Sequence, residues 1–383
     1  MLRAAVLALV VVTAAAAACE RTGETGDPAA PANSATPERP RSAPLPDPTP
    51  ATRAAAAPWR GMTFAHEGYD GLTGYGGPSV GPSLDSLAAL GVDAVAIVPY
   101  TFLRDAGVPA PLAVPERRGA ETDRAVRASI DAAHARGLRV LLKPQIWVGG
   151  GAWPGEIDFD DGADWEAFLG HYRTWMLHYA RLAADADVEA LAVGTELSRA
   201  TLEHPGFWRK LIAEVREAYG GTVTYAANWG EEFERLAFWD AVDVVGLNAY
   251  YPLSADPEAT DAELLAGARA WLRTADAVAA AADKPLWLTE VGYRSARRAW
   301  LNPHAAADGR PVSEECQRRC FAALASAAAE SARLTGAFVW KWPSYLGHVG
   351  GSWDGGGRDA GTGFTPGGKE AGAVVARWYA GWD

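Results

Sequence analysis

Glu189-Ala-Leu-Ala-Val-Gly-Thr-Glu196 and Pro285-Leu-Trp-Leu-Thr-Glu290 are two short apolar runs, each closed by one carboxylate. Val291-Gly292-Tyr293 follows the second. A carboxylate at the edge of an apolar core is costly unless it is paired or has a task. Both runs are nearly continuous in apolar residues, the pattern of a parallel strand covered by helices on both sides. In a parallel α/β barrel, the C-terminal ends of such strands carry the reactive groups.

Working outward from these two runs, the same grammar repeats. Further strands are expected at Gly61–His66, Val92–Tyr100, Leu138–Trp147, Thr222–Asn228, Val242–Tyr250 and Gly336–Trp342, with Val188–Thr195 leading to Glu196. Helical patterns lie between them: Ser83–Leu90 before Gly91, Glu121–Arg136 before Gly137, Trp165–Ala184, Phe207–Tyr219, Glu258–Ala282, and Ser313–Arg333. Glycine after the last periodic residue is a helix stop, and Ser313 followed by Glu314 and Glu315 is a start. A last helix is expected at Lys369–Tyr379. Eight strands alternating with helices predict an α/β fold of the (β/α)8 TIM-barrel type. The connection around Trp229–Ala241 is the shortest unit. A doubly wound sheet is the alternative, but no Gly-rich dinucleotide turn follows the first strand.

Composition narrows the function. The chain has 383 residues, 49% hydrophobic and 21% charged, with a net charge of -12. That balance, without any Lys/Arg-rich run, excludes a nucleic-acid surface. Sixteen Trp are many for this length. Trp suits a stacking platform better than generic core filling, because its N–H needs a partner.

The N-terminus reads as a targeting segment. Arg3 precedes the apolar stretch Ala4–Ala18, which is too short to span a bilayer. Ala16-Ala17-Ala18-Cys19 resembles a bacterial lipobox, which makes Cys19 the lipidated first residue of the mature chain. Glu20 in place of Asp points weakly to an outer membrane. The expected organisation is a lipoprotein signal peptide at 1–18, an Ala/Pro-rich disordered tether at 19–58, and a barrel at 59–383. The expected location is extracytoplasmic, with membrane contact only through the lipid anchor. Cys316 and Cys320 share a helix face, a poor disulfide geometry, and read as core thiols.

Placing every strand end at one rim assembles a site. His66 and Glu67 come from the first strand, and Lys143, Gln145 and Trp147 from the third. Thr195 and Glu196 end the fourth, and Asn228 and Trp229 the fifth. Asn248, Tyr250 and Tyr251 end the sixth, Glu290 and Tyr293 the seventh, and Trp340, Lys341 and Trp342 the eighth. The rim is aromatic and polar with few titratable groups. It lacks the His and Asp clusters of a catalytic metal and the Gly-rich turns of a phosphate site. Asp158, Asp160, Asp161 and Asp164 lack calcium-loop spacing and read as a solvated helix-capping loop. Gly350–Gly368 reads either as an ordinary surface loop or as a loop bordering the site, with Trp353 and Asp354 as candidate ligand contacts. Two carboxylates on such a rim meet the requirement for acid-base cleavage of a glycosidic bond. The non-catalytic alternative is a buried ion pair with Lys143 or Arg199.

Six motifs in order carry a family resemblance: Gly61-Met-Thr-Phe-Ala-His66, Lys143-Pro-Gln-Ile-Trp147, Val193-Gly-Thr-Glu-Leu197, Leu247-Asn-Ala-Tyr250, Thr289-Glu-Val-Gly-Tyr293 and Phe364-Thr-Pro-Gly-Gly-Lys369. Together they resemble glycoside hydrolase clan A, and within it family 113, the β-mannanase type, across nearly all of Trp59–Asp383. Many clan members have Asn where this chain has Thr195; family 113 resembles it there. The resemblance implies a retaining endo-β-1,4-mannanase with Glu196 as acid/base and Glu290 as nucleophile. Retention requires the two carboxyls roughly 5–5.5 Å apart. Tyr250 is expected to hydrogen-bond Glu290, and Trp147, Trp229, Trp340 and Trp342 to stack on sugars. The implied partner is a β-linked polysaccharide or oligosaccharide, with no cofactor, and a monomer is expected. The competing reading is a carbohydrate-binding lipoprotein on a degenerate barrel that has lost catalysis.

Overall fold

Strand β1 (Trp59–Ala65) pairs in parallel with a strand on each side, one near in sequence and one at the far end of the chain. That double pairing closes a barrel. The computed structural model describes residues 57–66, 71–116, 119–307, 309–346 and 361–382.

After β1 come α1 (Val80–Asp85), β2 (Ala94–Ile97), β3 (Tyr100–Leu103), α2 (Asp123–His134), β4 (Arg139–Leu142) and β5 (Gln145–Val148). Then follow α3 (Gly162–Asp185), β6 (Ala190–Thr195), α4 (Ser198–Glu203), α5 (Pro205–Ala218), β7 (Thr222–Asn228), α6 (Glu231–Arg235) and β8 (Val244–Asn248). The chain ends with α7 (Asp261–Ala281), β9 (Leu286–Val291), α8 (Glu314–Ala328), β10 (Leu334–Pro343) and α9 (Glu370–Ala380). Eight strands close the barrel in the order β1-β10-β9-β8-β7-β6-β4-β2, and β3 pairs with β5 in a separate two-stranded sheet. This is the (β/α)8 TIM barrel expected from the alternation of apolar runs and helices.

The helix starts follow local chemistry. Thr122 accepts from the Ala125 amide, Asp161 from Ala163 and Asp164, and Ser313 from Cys316. Thr260 and Glu263 form a reciprocal capping box on α7. Asp161 thus caps a helix, as expected for that acidic loop. Cys316 and Cys320 are buried free thiols on α8, and burial pushes the Cys320 thiol well up. Among the described residues no helix is long and apolar enough to cross a membrane.

Two cores result. The larger one lies between strands and helices. A smaller one fills the barrel lumen with Ala94, Ala96, Ala190 and Ala192 around the rings of Trp59, Trp287 and Phe338. Small residues leave the volume that those rings occupy. Gly61 and Gly336 do the same, since a Cβ on either would collide with the Phe338 or Trp287 ring.

One expectation needs correction. The second and third predicted strands each run as one segment to Tyr100 and Trp147. The structure splits both, at Val98-Pro99 and at Lys143-Pro144. The pairing Ile97 with Leu142 resumes in the same register at Tyr100 with Gln145, so the two prolines stand side by side. Proline has no N–H for the ladder, so the barrel pairing stops there and the strands restart as the small sheet.

Candidate active site

Glu196 and Glu290 line one cleft of about 530 Å³ at the C-terminal rim, with Tyr250 and Asn228 beside them. Trp153, Trp229, Trp340 and Phe364 supply its aromatic walls, and His304 also lines it.

Glu196 follows β6 and takes a left-handed backbone with φ 52°. A non-glycine residue in that region is strained and persists only where its surroundings enforce it. Its N–H donates to the Ala226 carbonyl at 2.9 Å, and the Leu197 N–H donates to the Tyr225 hydroxyl at 2.8 Å. Its side chain accepts from Asn248 Nδ2 at 2.9 Å and Trp153 Nε1 at 2.7 Å. Burial and then the charge of Glu290 push its pKa up to about 7; the Asn248 and Trp153 hydrogen bonds oppose this. The carboxyl therefore holds a proton up to neutrality and can release and retake it there.

Buried Glu232, on α6, clasps the turn from below. Its carboxylate accepts from Tyr225 Oη at 2.7 Å, Thr201 Oγ1 at 2.9 Å, Ser198 Oγ at 3.0 Å and the Asn228 N–H at 2.7 Å. The end of β7 and the start of α4, which follows the Glu196 turn, are thereby tied to one group. Burial raises its pKa, and the hydrogen bonds oppose the rise.

Glu290 sits on β9 in a different setting. Lys143 Nζ pairs with Oε1, Gln145 Nε2 donates to Oε1 at 3.1 Å, and Tyr250 Oη donates to Oε2 at 2.8 Å. Three donors around one acid match an acceptor-only carboxylate. Burial and the neighbouring Glu290 charge hold the Tyr250 phenol well above its ordinary value, so it stays a donor. The expected Tyr250 partner is present, and so is the ion pair with Lys143. Arg199 instead pairs with Asp158 at 2.7 Å. Asn248 completes the link, because Thr289 Oγ1 donates to its Oδ1 at 2.9 Å and leaves the amide nitrogen facing Glu196.

Other sequence-predicted residues fall elsewhere. His66 pairs with Glu121 and packs edge-on to Tyr75 and Tyr100. Trp147 stands on the small sheet, 52% exposed, and does not line the cleft. Tyr293 is fully buried against Phe321 of α8. Trp342 is also buried, with Nε1 donating to Ser83 Oγ at 3.2 Å. The reason lies in β10. Met62 to Phe64 on β1 pairs with Val339 to Trp342, so β10 carries one extra residue there. Trp340 keeps the inward parity of lumen-facing Phe338, and the extra residue reverses the alternation beyond it, which turns Trp342 to the helix layer. Sugar stacking by Trp342 and substrate contact by Tyr293 are therefore corrected. Glu67, Trp353, Asp354 and Cys19 lie outside the described residues.

Trp153, His304 and Phe364 were not picked out as site residues from the sequence. Trp153 follows Gly149-Gly-Gly-Ala, a loop signal with no direction in it. Among the described residues no group of three or more His, Cys, Asp or Glu is placed to hold a metal ion.

Comparison with known proteins agrees with this geometry. The sequence matches the model of Glycoside Hydrolase Family 113 over residues 62–350. It is similar to the family 113 β-mannanase AaManA from Alicyclobacillus acidocaldarius, solved in complex with ManMIm. That structure is 30% identical with a TM-score of 0.74, and the match covers 86% of this chain and 99% of that one. A second family 113 β-1,4-mannanase is 24% identical with a TM-score of 0.71, covering 85% and 99%. A family 5 mannosidase from Rhizomucor miehei is 12% identical with a TM-score of 0.57, covering 86% and 94%. At these lower identities the likeness concerns the fold alone. No curated protein matches the sequence significantly. The chain is a glycoside hydrolase and belongs to family 113.

Proposed function

We propose that the protein is an endo-β-1,4-mannanase that cleaves with net retention, Glu196 serving as acid/base and Glu290 as nucleophile. The observation that carries this reading is the split environment of two carboxyls on one cleft. One has a pKa raised to about 7, and the other is surrounded by three donors. In the first step Glu196 protonates the departing glycosidic oxygen while Glu290 attacks the anomeric carbon, giving a covalent glycosyl-enzyme. In the second, Glu196 takes a proton from water, which displaces Glu290 with a second inversion. Lys143, Gln145 and Tyr250 hold Glu290 in position, and Asn248 and Trp153 orient Glu196. Asn228, Trp229 and Trp340 are the sugar contacts of the cleft, and the chemistry requires no cofactor. The likeness to the 30%-identical family 113 β-mannanase supports mannan as substrate.

The test is reducing-sugar release from mannan, glucomannan, xylan and β-glucan, with the product anomer read by NMR. Mannan cleavage giving the β-anomer first is expected, with Glu290→Ala inactive on every polymer. An initial α-anomer, or full activity of that variant, overturns the assignment.

The same proposal makes Cys19 the lipid anchor and residues 19–58 a tether holding the barrel outside the cytoplasm. Fractionation of the full chain should find it in membranes, and Cys19→Ala should release it.

A further inference from the structure

The loop after β9 brings His304 to the cleft. Asn302-Pro303-His304-Ala305 is a turn sequence, with Pro at the second position, and the Ala305 N–H donates to the Asn302 carbonyl at 3.2 Å. Side chains then fix the next three carbonyls. Arg294 Nε donates to Ala305 at 3.1 Å. Arg310 donates through Nη2 to Ala306 at 3.0 Å and through Nε to Ala307 at 3.1 Å. The Arg294 guanidinium also lies 4.3 Å above the Phe364 ring, which fastens this turn to another wall of the same cleft.

The His304 ring is held differently from its backbone. Its centroid is 5.8 Å from that of Trp229, at an interplanar angle of 38°. Trp229 is backed in turn by Tyr251 at 5.2 Å, and Tyr251 stacks on Trp271 at 5.5 Å. Among the described residues neither nitrogen of the exposed His304 ring has a hydrogen-bond partner. Partial burial lowers its pKa, so the ring is neutral at neutrality. A neutral imidazole offers one N–H donor and one acceptor nitrogen, which a sugar hydroxyl can match on either side. A polar group on a fixed turn costs little to order when a ligand binds.

We propose that His304 is a specificity residue whose imidazole hydrogen-bonds a sugar hydroxyl in the part of the cleft walled by Trp229. The proposal rests on the reading of Glu196 and Glu290 as the reaction centre of a mannan-cleaving enzyme. A sugar that presents no hydroxyl there leaves the imidazole unpaired and is disfavoured.

The test compares His304→Ala, His304→Phe and His304→Gln with wild type on mannohexaose. Phe keeps a flat ring beside Trp229 without a polar atom, and Gln keeps a donor and an acceptor. His304→Ala and His304→Phe should each lose about tenfold in kcat/KM, mainly through KM, and His304→Gln about threefold or less. Melting temperatures should match wild type, because the side chain is exposed. Full activity in His304→Phe overturns the proposal, as does a loss in His304→Gln equal to that in His304→Ala. A binding readout separates this contact from the assigned activity. In Glu290→Ala the His304 imidazole nitrogen signals, identified by their absence from the same chain carrying His304→Gln, should shift when mannohexaose is added. Where wild type cleaves mannan, unmoved signals overturn the contact. If wild type cleaves no mannan, the mannanase reading fails, and the titration is extended to cellohexaose and xylohexaose. A shift with any of the three sugars then supports His304 as a sugar ligand, and no shift with any of them overturns it.

Discussion

The Asn248 amide donates to Glu196 at 2.9 Å, and the Thr289 hydroxyl fixes which way that amide points. One side chain thus moderates the acid whose proton is to be moved. The hydrogen bond favours the ionised form, against burial and the Glu290 charge, which favour the neutral one.

The alkaline limb of the pH profile of kcat/KM should therefore lie near the Glu196 value of about 7. Asn248→Ala removes a donor to the ionised form, so that limb moves to higher pH. Glu290→Gln removes a repelling charge, so Glu196 titrates at lower pH; carbon NMR reads this in the inactive variant. Shifts of the opposite sign overturn the account of the site's electrostatics.

The same group links stability to pH. Glu196 has a folded pKa of about 7 against an ordinary 4.5. Between these values the folded chain binds more protons than the unfolded one, so its contribution falls as pH rises. Glu196→Gln cannot ionise and escapes that loss. Its stability relative to wild type should rise between pH 5 and pH 8, by on the order of 1–3 kcal/mol. Urea midpoints at the two pH values measure it.

Glu232 holds the turn that carries Glu196. Glu232→Ala leaves the hydroxyls of Tyr225 and Ser198 and the Asn228 N–H without this acceptor, while Thr201 keeps the Ser198 carbonyl. The expected cost is about 2–5 kcal/mol, with a loss of roughly tenfold or more in kcat as the left-handed turn at Glu196 relaxes. Chemical denaturation and steady-state kinetics separate the two effects.

Trp340 and Trp342 should behave as opposites although they are two residues apart. Trp340 lines the cleft, and Trp342 is buried against Ser83. Trp340→Ala is expected to lower kcat/KM with little change in melting temperature. Trp342→Ala should destabilise by about 3–5 kcal/mol through the cavity it leaves. A pair of variants with matching profiles would show that the bulge in β10 is misplaced.

The barrel and its two carboxylates were legible in the sequence for a physical reason. Parallel strands buried on both faces must be apolar, so a Glu ending such a run stands out, as Glu196 and Glu290 do. Helix starts at Thr260 and Ser313 were equally local, because a cap is satisfied within three residues. What lay beyond local chemistry was decided by tertiary structure. Pro99 and Pro144 are visible one at a time, but only strand pairing puts them side by side and creates the small sheet. One extra residue in β10 set which Trp faces the cleft, and no pattern within that strand reveals its register against β1. Glu232 reads as one more acid in a charged stretch until packing buries it under Tyr225. Residue type and period are written along the chain; register, burial and the partners of buried charge arise only when strands distant in sequence meet.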